Sequence, residues 1–101
     1  MENKPKKKLI RDKIHEIYKL HDIHIAEDEE YKQELTKKLQ EEINEFKEND
    51  SPEELADIIE VIYSIAKFKN MSIDELEKIR IDKADKRGSF DKRVILKKNF
   101  Q

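Results

Sequence analysis

Four carboxylates stand at positions where a helical pattern would turn them toward a protein core. At about 100° per residue around a helix, Glu42 falls inside the apolar stripe of its segment and Glu45 at the edge of that stripe. In the following segment, Glu54 lies within the apolar arc and Asp57 at its border. A carboxylate that faces a core is costly unless it is paired or bound to a cation. These acids are therefore the first candidates for a functional site.

The spacing of the four acids predicts that they lie close together. Each pair has i, i+3 spacing, so its two members are neighbours on one helical surface. Eight residues separate Glu45 from Glu54, which leaves room for a helix end, a tight turn and a new helix start. We expect the acids to meet at one end of a helical hairpin, where cations would relieve their mutual repulsion. Oxygen ligands favour Mg²⁺, or Mn²⁺, over zinc.

Other roles compete with this interpretation. Glu54 is placed to complete a capping box with Ser51 at the start of its helix, and Glu42 could pair with a lysine across an interface. A di-iron carboxylate site needs Glu-x-x-His pairs, and no histidine in the chain follows a glutamate by three positions. The spacing of His21 and His24 would suit zinc, but no further ligand accompanies them, so we expect exposed linker residues.

The apolar periodicity predicts four helices that position these acids. The expected helices cover four ranges, 9–20, 28–46, 52–69 and 73–87. A short extended link, 21–27, separates the first two helices. Ser51 and Ser72 are each followed three residues later by a glutamate, Glu54 and Glu75. This pattern predicts a capping box at the start of the third helix and another at the start of the fourth.

Composition limits the class of protein. With 101 residues, the chain fits one domain over 1–101, with basic tails at 1–8 and 89–101. The absence of Cys and the single Gly exclude disulfides, thiol catalysis, cysteine-ligated metals and glycine-rich phosphate loops. The net charge of −2 argues against nucleic acid as a partner. No apolar run of about 18 residues is present for a membrane span, and we expect a soluble, cytoplasmic protein.

These helices predict an all-α fold, a small four-helix bundle in which the second and third helices form an antiparallel hairpin. The apolar arc of the third helix is about 180° wide, which is too wide for a helix packed on one neighbour. The C-terminal tail carries five further apolar residues, Phe90, Val94, Ile95, Leu96 and Phe100. A small chain with so much apolar surface predicts a homodimer or a dimer of dimers.

Three blocks of the sequence follow one another in a familiar order. The first is LIRDKI at 9–14, the second combines EEINE at 41–45 with ELAD at 54–57, and the third is KADKRGSF at 83–90. Together they resemble the MazG-like all-alpha nucleoside triphosphate pyrophosphohydrolases, whose signature is EExxE…ExxD. The outer blocks resemble the phosphoribosyl-ATP pyrophosphohydrolase-like branch. His15 differs from the proline usual in that branch, and the gap between the acidic blocks is shorter than in larger members.

The resemblance implies a Mg²⁺-dependent enzyme that hydrolyses a nucleoside triphosphate, or a related nucleotide, to the monophosphate and pyrophosphate. Such an activity suits the removal of unwanted nucleotides from the pool. The residues present do not specify the base or the sugar. The implied metal ligands are Glu42, Glu45, Glu54 and Asp57, with Mn²⁺ as an alternative to Mg²⁺.

The resemblance also implies roles beyond the four ligands. Glu41 and Glu42 would be catalytic, and Glu41 could hold a second metal or the attacking water. Five basic residues would bind the substrate phosphates, and they are Arg11, Lys13, Lys83, Lys86 and Arg87. Those on the fourth helix could instead only complement its dipole, and the roles of Arg11 and Lys13 are open to the same ambiguity.

The alternative function is a non-enzymatic binding module, a charged helical bundle that contacts nucleic acid or another protein. Basic clusters at 6–8, 92–93 and 97–98 are consistent with it, although such runs are more often solvated tails. An enzyme would lose activity with EDTA and regain it with Mg²⁺. Nucleic-acid binding would survive chelation and weaken steeply with salt.

Overall fold

The computed structural model describes residues 7–97, and over that range its regular secondary structure consists of helices without strands. Its four helices are α1 (Ile14–Ile17), α2 (Asp28–Asn49), α3 (Pro52–Phe68) and α4 (Ile73–Arg87). The all-α class expected from the sequence is thus confirmed. No helix of the described residues combines the length and the apolar character that a membrane crossing requires. The expectations for residues 1–6 and 98–101, Phe100 included, lie outside the described residues.

Helices α2 and α3 form the hairpin that the sequence predicts. They pack against each other and are joined only by Asp50 and Ser51, so they must run in opposite directions. Asp50 adopts the left-handed conformation with φ 50°, and its N–H donates to the Phe46 carbonyl at 2.8 Å. This C-terminal cap ends α2 three residues later than the periodicity predicts and makes the turn tight.

The two predicted capping boxes have different outcomes. At the start of α4, Ser72 Oγ accepts from the Glu75 N–H at 3.0 Å and Glu75 Oε1 accepts from the Ser72 N–H at 3.4 Å, which confirms the second box. At the start of α3, Ser51 occupies the N-cap position but makes no side-chain cap bond. The Glu54 carboxylate accepts from Asn49 Nδ2 at 3.2 Å instead. The first capping box is therefore wrong.

The helix predicted over 9–20 is also wrong for most of its length. Helix α1 has four residues, and residues 9–13 precede it without helical structure. Lys7 and Lys8 just before this segment, and Arg11 within it, pair with acids of α2 and α3. A short isolated helix is marginal in water, so apolar periodicity alone does not make this segment helical. The link at 21–27 contains no helix, as expected.

The hydrophobic core of one chain is small. Among residues 7–97, only Leu35, Val61 and Ala66 are buried apolar residues, and Tyr31 packs edge-on against Phe68 with ring centroids 5.4 Å apart. Helix α4 contacts α3 but not α2, and α1 contacts none of the other described helices. The four helices therefore do not close into a bundle within one chain. The radius of gyration, 17.5 Å, exceeds the value of about 13 Å for a compact chain of this length.

Candidate metal centre

Five carboxylates lie together toward the turn end of the α2–α3 hairpin. Two overlapping groups form there, one of Glu41, Glu42 and Glu45 and the other of Glu42, Glu54 and Asp57. Within each group, one carboxylate oxygen from every residue lies within 4.8 Å of the others. Glu42 belongs to both groups. The second group draws its ligands from two helices, because the end of α2 lies beside the start of α3.

Glu42 is the most unusual of these side chains. It is 6% exposed, and its Oε1 lies 3.4 Å from Lys38 Nζ. Its Oε2 is buried and finds no hydrogen-bond partner among the described residues, and the same is true of Glu54 Oε2. Leaving a buried polar atom unsatisfied costs about 1–3 kcal/mol, and more for a charged group. These two oxygens belong to one group of three acids, and a cation bound there would satisfy both.

Mutual repulsion within the cluster is visible at Glu45. The negative charge of Glu42 raises the pKa of the Glu45 carboxyl, with burial and the charge of Glu54 adding to the effect. A carboxyl whose pKa is raised by neighbouring acids is destabilised in its ionised form. A bound cation would remove that penalty.

Glu41 has a different environment, although it is next to Glu42 in the sequence. Burial raises the pKa of the Glu41 carboxyl, but the ammonium groups of Lys38 and Lys8 together outweigh it and leave the pKa below its ordinary value. Lys38 Nζ lies 3.2 Å from Glu41 and also contacts Glu42. Glu41 is therefore ionised at neutral pH.

The N-terminal segment supplies two more cations to the cluster. Lys8 Nζ lies 3.4 Å from Glu41 Oε1, and Arg11 Nη2 lies 2.5 Å from Asp57 Oδ1. The exposed Lys13 makes no ion pair within the described residues. Of the basic residues singled out in the first block of the sequence, Arg11 alone contacts an acid of the cluster.

The basic residues of α4 lie apart from the cluster. Lys83, Lys86 and Arg87 are exposed, and their helix packs on α3 without touching α2. Within residues 7–97, none of the three forms an ion pair with an acid. One chain therefore does not bring them to the carboxylates.

Lys38 and Lys8 are site residues that the sequence analysis missed. Lys38 stands four residues before Glu42, and i, i+4 spacing on a helix is a recognisable signal of an ion pair. Lys8 carries no such signal, because its partner is 33 residues away in the chain. Glu34 is another buried carboxylate, 6% exposed, but it belongs to neither acid group and pairs with Lys37 at 3.2 Å.

Comparisons of the chain with protein families, with curated proteins and with solved structures find no match.

Proposed function

We propose that this protein is a Mg²⁺-dependent nucleoside triphosphate pyrophosphohydrolase acting on the cytoplasmic nucleotide pool. The resemblance of three sequence blocks to the MazG-like enzymes suggests the reaction. The observation that carries the proposal is the buried Glu42 oxygen without a partner, in a group of three carboxylates drawn from two helices. A merely structural set of surface acids would be solvated or paired.

The residues present fit a hard divalent cation. Glu42, Glu54 and Asp57 offer only oxygen ligands, which suits Mg²⁺ or Mn²⁺. Ligands of one Mg²⁺ lie at most about 4.2 Å apart, since Mg–O distances are about 2.1 Å. Each of the three carboxylates offers one oxygen within 4.8 Å of the others, so the three oxygens are close enough to converge on one cation. Glu45 and Glu41 border a second position around the shared Glu42.

The protein's own residues then have distinct tasks. A bound Mg²⁺ would contact phosphate oxygens and neutralise charge at the reacting phosphorus. Glu42, Glu54 and Asp57 hold the cation, and Glu45 borders it. Glu41, ionised at neutral pH, accepts a hydrogen bond from water and orients it. Hydrolysis between the first and second phosphates needs no side-chain nucleophile.

A panel of nucleoside triphosphates tests this proposal, with pyrophosphate and monophosphate measured as products. At least one triphosphate should be hydrolysed in Mg²⁺, EDTA should abolish the reaction, and added Mg²⁺ should restore it. Hydrolysis that persists in excess EDTA would contradict the proposal. So would the absence of any hydrolysis combined with nucleic-acid binding that survives chelation and weakens steeply with salt, which is the behaviour of a binding module.

We further propose that the protein acts as a homodimer or a dimer of dimers. The chain exposes 10,001 Å², whereas a compact protein of 12.2 kDa exposes about 6,000 Å². The excess is larger than the roughly 800 Å² per partner that a standard interface buries. A second copy would also allow α4 of one chain to bring Lys83, Lys86 and Arg87 to the phosphates in the site of another.

The surface most suited to that interface is a stripe on α3. Leu55, Ile59 and Ile62 share one side of the helix, at spacings of four and three, and are 49%, 48% and 37% exposed. The opposite flank carries Phe68, which packs against Tyr31 of α2. Two hairpins that meet along this stripe would form a four-helix core.

A further inference from the structure

We propose that Arg11 and Lys8 exchange partners when a metal-bound triphosphate enters the site. Their cationic groups then leave the carboxylates of Asp57 and Glu41 and bind phosphate oxygens instead. Residues 7–13, here termed the N-terminal strap, would then lie across the bound phosphates. The inference rests on the proposed function and assigns the strap a part in it. Its starting point is that cationic side chains already lie on the carboxylates that a metal would use.

The strap touches both acid groups. Lys8 pairs with Glu41 of the first group, and Arg11 pairs with Asp57 of the second, at 3.4 and 2.5 Å respectively. A third pair, Lys7 with Glu30 at 2.6 Å, attaches the start of the strap to α2 outside the cluster. The strap therefore crosses the site between the two groups.

These two ion pairs are exposed enough to exchange. The side chains of Lys8 and Arg11 are 64% and 57% exposed, and pairs of this kind contribute little to stability. Leu9 and Ile10 between them are half-buried, so they hold the backbone in place while the charged side chains move. Lys38 differs, because its side chain is only 17% exposed and it pairs within its own helix.

The charges favour an exchange over a simple release. Five carboxylates of the two groups face the three cationic groups of Lys8, Arg11 and Lys38, a formal balance of −2. A divalent cation corrects this balance but is repelled by Arg11, which lies on Asp57. A triphosphate brings oxygens that a guanidinium binds in a bidentate manner. Arg11 thus loses one anionic partner to the metal and gains another from the substrate.

A fixed supporting role for Arg11 makes the opposite prediction. If Arg11 only oriented the Asp57 carboxylate toward a metal, as outer-sphere partners do, its removal would weaken metal binding. If Arg11 competes with the metal, its removal strengthens binding of the metal alone. The two roles are therefore separated by the sign of one affinity change.

The experiment measures binding of Mn²⁺, and of the Mn²⁺ complex of inorganic tripolyphosphate, by electron paramagnetic resonance and calorimetry. Tripolyphosphate presents the phosphates without requiring a choice of base. Arg11→Gln should bind Mn²⁺ alone about two- to fivefold more tightly, the range of an exposed ion pair, and the complex at least about tenfold more weakly. Arg11→Lys keeps the charge without the bidentate geometry, so both of its affinities should fall between those of the wild type and of Arg11→Gln. Lys78→Gln, an exposed position on α4, controls for net charge and should leave both affinities unchanged.

Hydrogen exchange of the strap gives a second readout. The amides of residues 8–12 should exchange more slowly in the Mn²⁺–tripolyphosphate complex than with Mn²⁺ alone, and Arg11→Gln should abolish that difference. If Arg11→Gln weakens binding of Mn²⁺ and of the complex equally, or leaves the complex unaffected, the exchange is overturned and the metal site stands. If wild-type protein and Asp57→Asn both fail to bind Mn²⁺, the proposed function falls and this inference with it.

Discussion

Glu54 is the residue for which the sequence allows two distinct roles, a helix-capping acid and a metal ligand. It does not complete a capping box, because Ser51 makes no cap bond and the Glu54 carboxylate accepts from Asn49. Its other oxygen is buried and has no partner among the described residues. The cation proposed above, shared with the neighbouring Glu42 and Asp57, would satisfy that oxygen.

Substitution of these ligands tests that role. Glu54→Gln and Asp57→Asn should each reduce pyrophosphate release at limiting Mg²⁺ by about two orders of magnitude, since metal-assisted hydrolysis depends on the charge of the ligands. Glu53→Gln, at the exposed neighbouring position, should change activity by less than about twofold.

Stability provides the control for this experiment. Without metal, the melting temperatures of Glu54→Gln and Asp57→Asn should equal or exceed that of the wild type, because each removes a charge from a repelling cluster. For Asp57→Asn, the lost pair with exposed Arg11 offsets part of that gain. Near-wild-type activity in both variants at limiting Mg²⁺ would show that neither residue is a metal ligand.

A pH dependence is expected at Glu30, away from the acid cluster. The hydrogen bond from Lys7, followed by that from His24, holds the pKa of the Glu30 carboxyl below its usual value of 4.5. Because folding lowers this pKa, the ionised Glu30 carboxylate stabilises the folded protein above about pH 4.5. The stabilisation is lost as the pH falls through the lowered pKa. A ¹³C titration of Glu30 should have its midpoint below 4.5, and Lys7→Gln should move it upward. The same midpoint in both proteins would disprove the attachment of the strap to α2.

At the scale of the elements, the two N-cap serines form a matched pair. Ser72 makes both bonds of a capping box and Ser51 makes none with its side chain. Ser72→Ala should therefore destabilise α4 by about 1 kcal/mol, whereas Ser51→Ala should cost only a few tenths. Urea unfolding followed by circular dichroism measures the two losses of stability, and hydrogen exchange locates the change in α4. Equal losses would mean that the two serines cap their helices alike.

The helices that the sequence predicts well are those whose signals are local. Helix α3 begins at Pro52 and α4 follows Ser72, because a cap or a proline acts on the next few residues of the chain. The burial of Glu42 is likewise apparent from its position in the apolar stripe of α2.

Helix α1 could not be predicted in the same way. The partners of Lys7, Lys8 and Arg11 are 23, 33 and 46 residues away, so no pattern within the segment reveals them. Its apolar periodicity suits a helix, but a helix this short is marginal in water without packing against the rest of the chain. Because these partners are distant in the chain, the sequence indicates Arg11 as a site residue only through resemblance, and Lys8 only as part of the basic cluster at 6–8.

At the scale of the whole molecule, the extended shape and small core favour assembly. Sedimentation equilibrium should give two or four times the chain mass of 12.2 kDa at micromolar concentration. Ile59→Glu, which places a charge in the exposed stripe of α3, should shift the protein toward monomer and lower its melting temperature. Ile25→Glu, at a link residue that is 86% exposed, should change neither. A fully active wild-type monomer would contradict the proposed assembly.

The central claim is that the end of the α2–α3 hairpin holds a divalent cation. Anomalous diffraction from crystals grown with Mn²⁺ tests it most directly, because the signal locates the ion without reference to activity. The account predicts a peak within about 2.3 Å of oxygens from Glu42, Glu54 and Asp57, and its loss in Asp57→Asn. A peak elsewhere, or none at these carboxylates at a Mn²⁺ concentration that supports full hydrolysis, would contradict it.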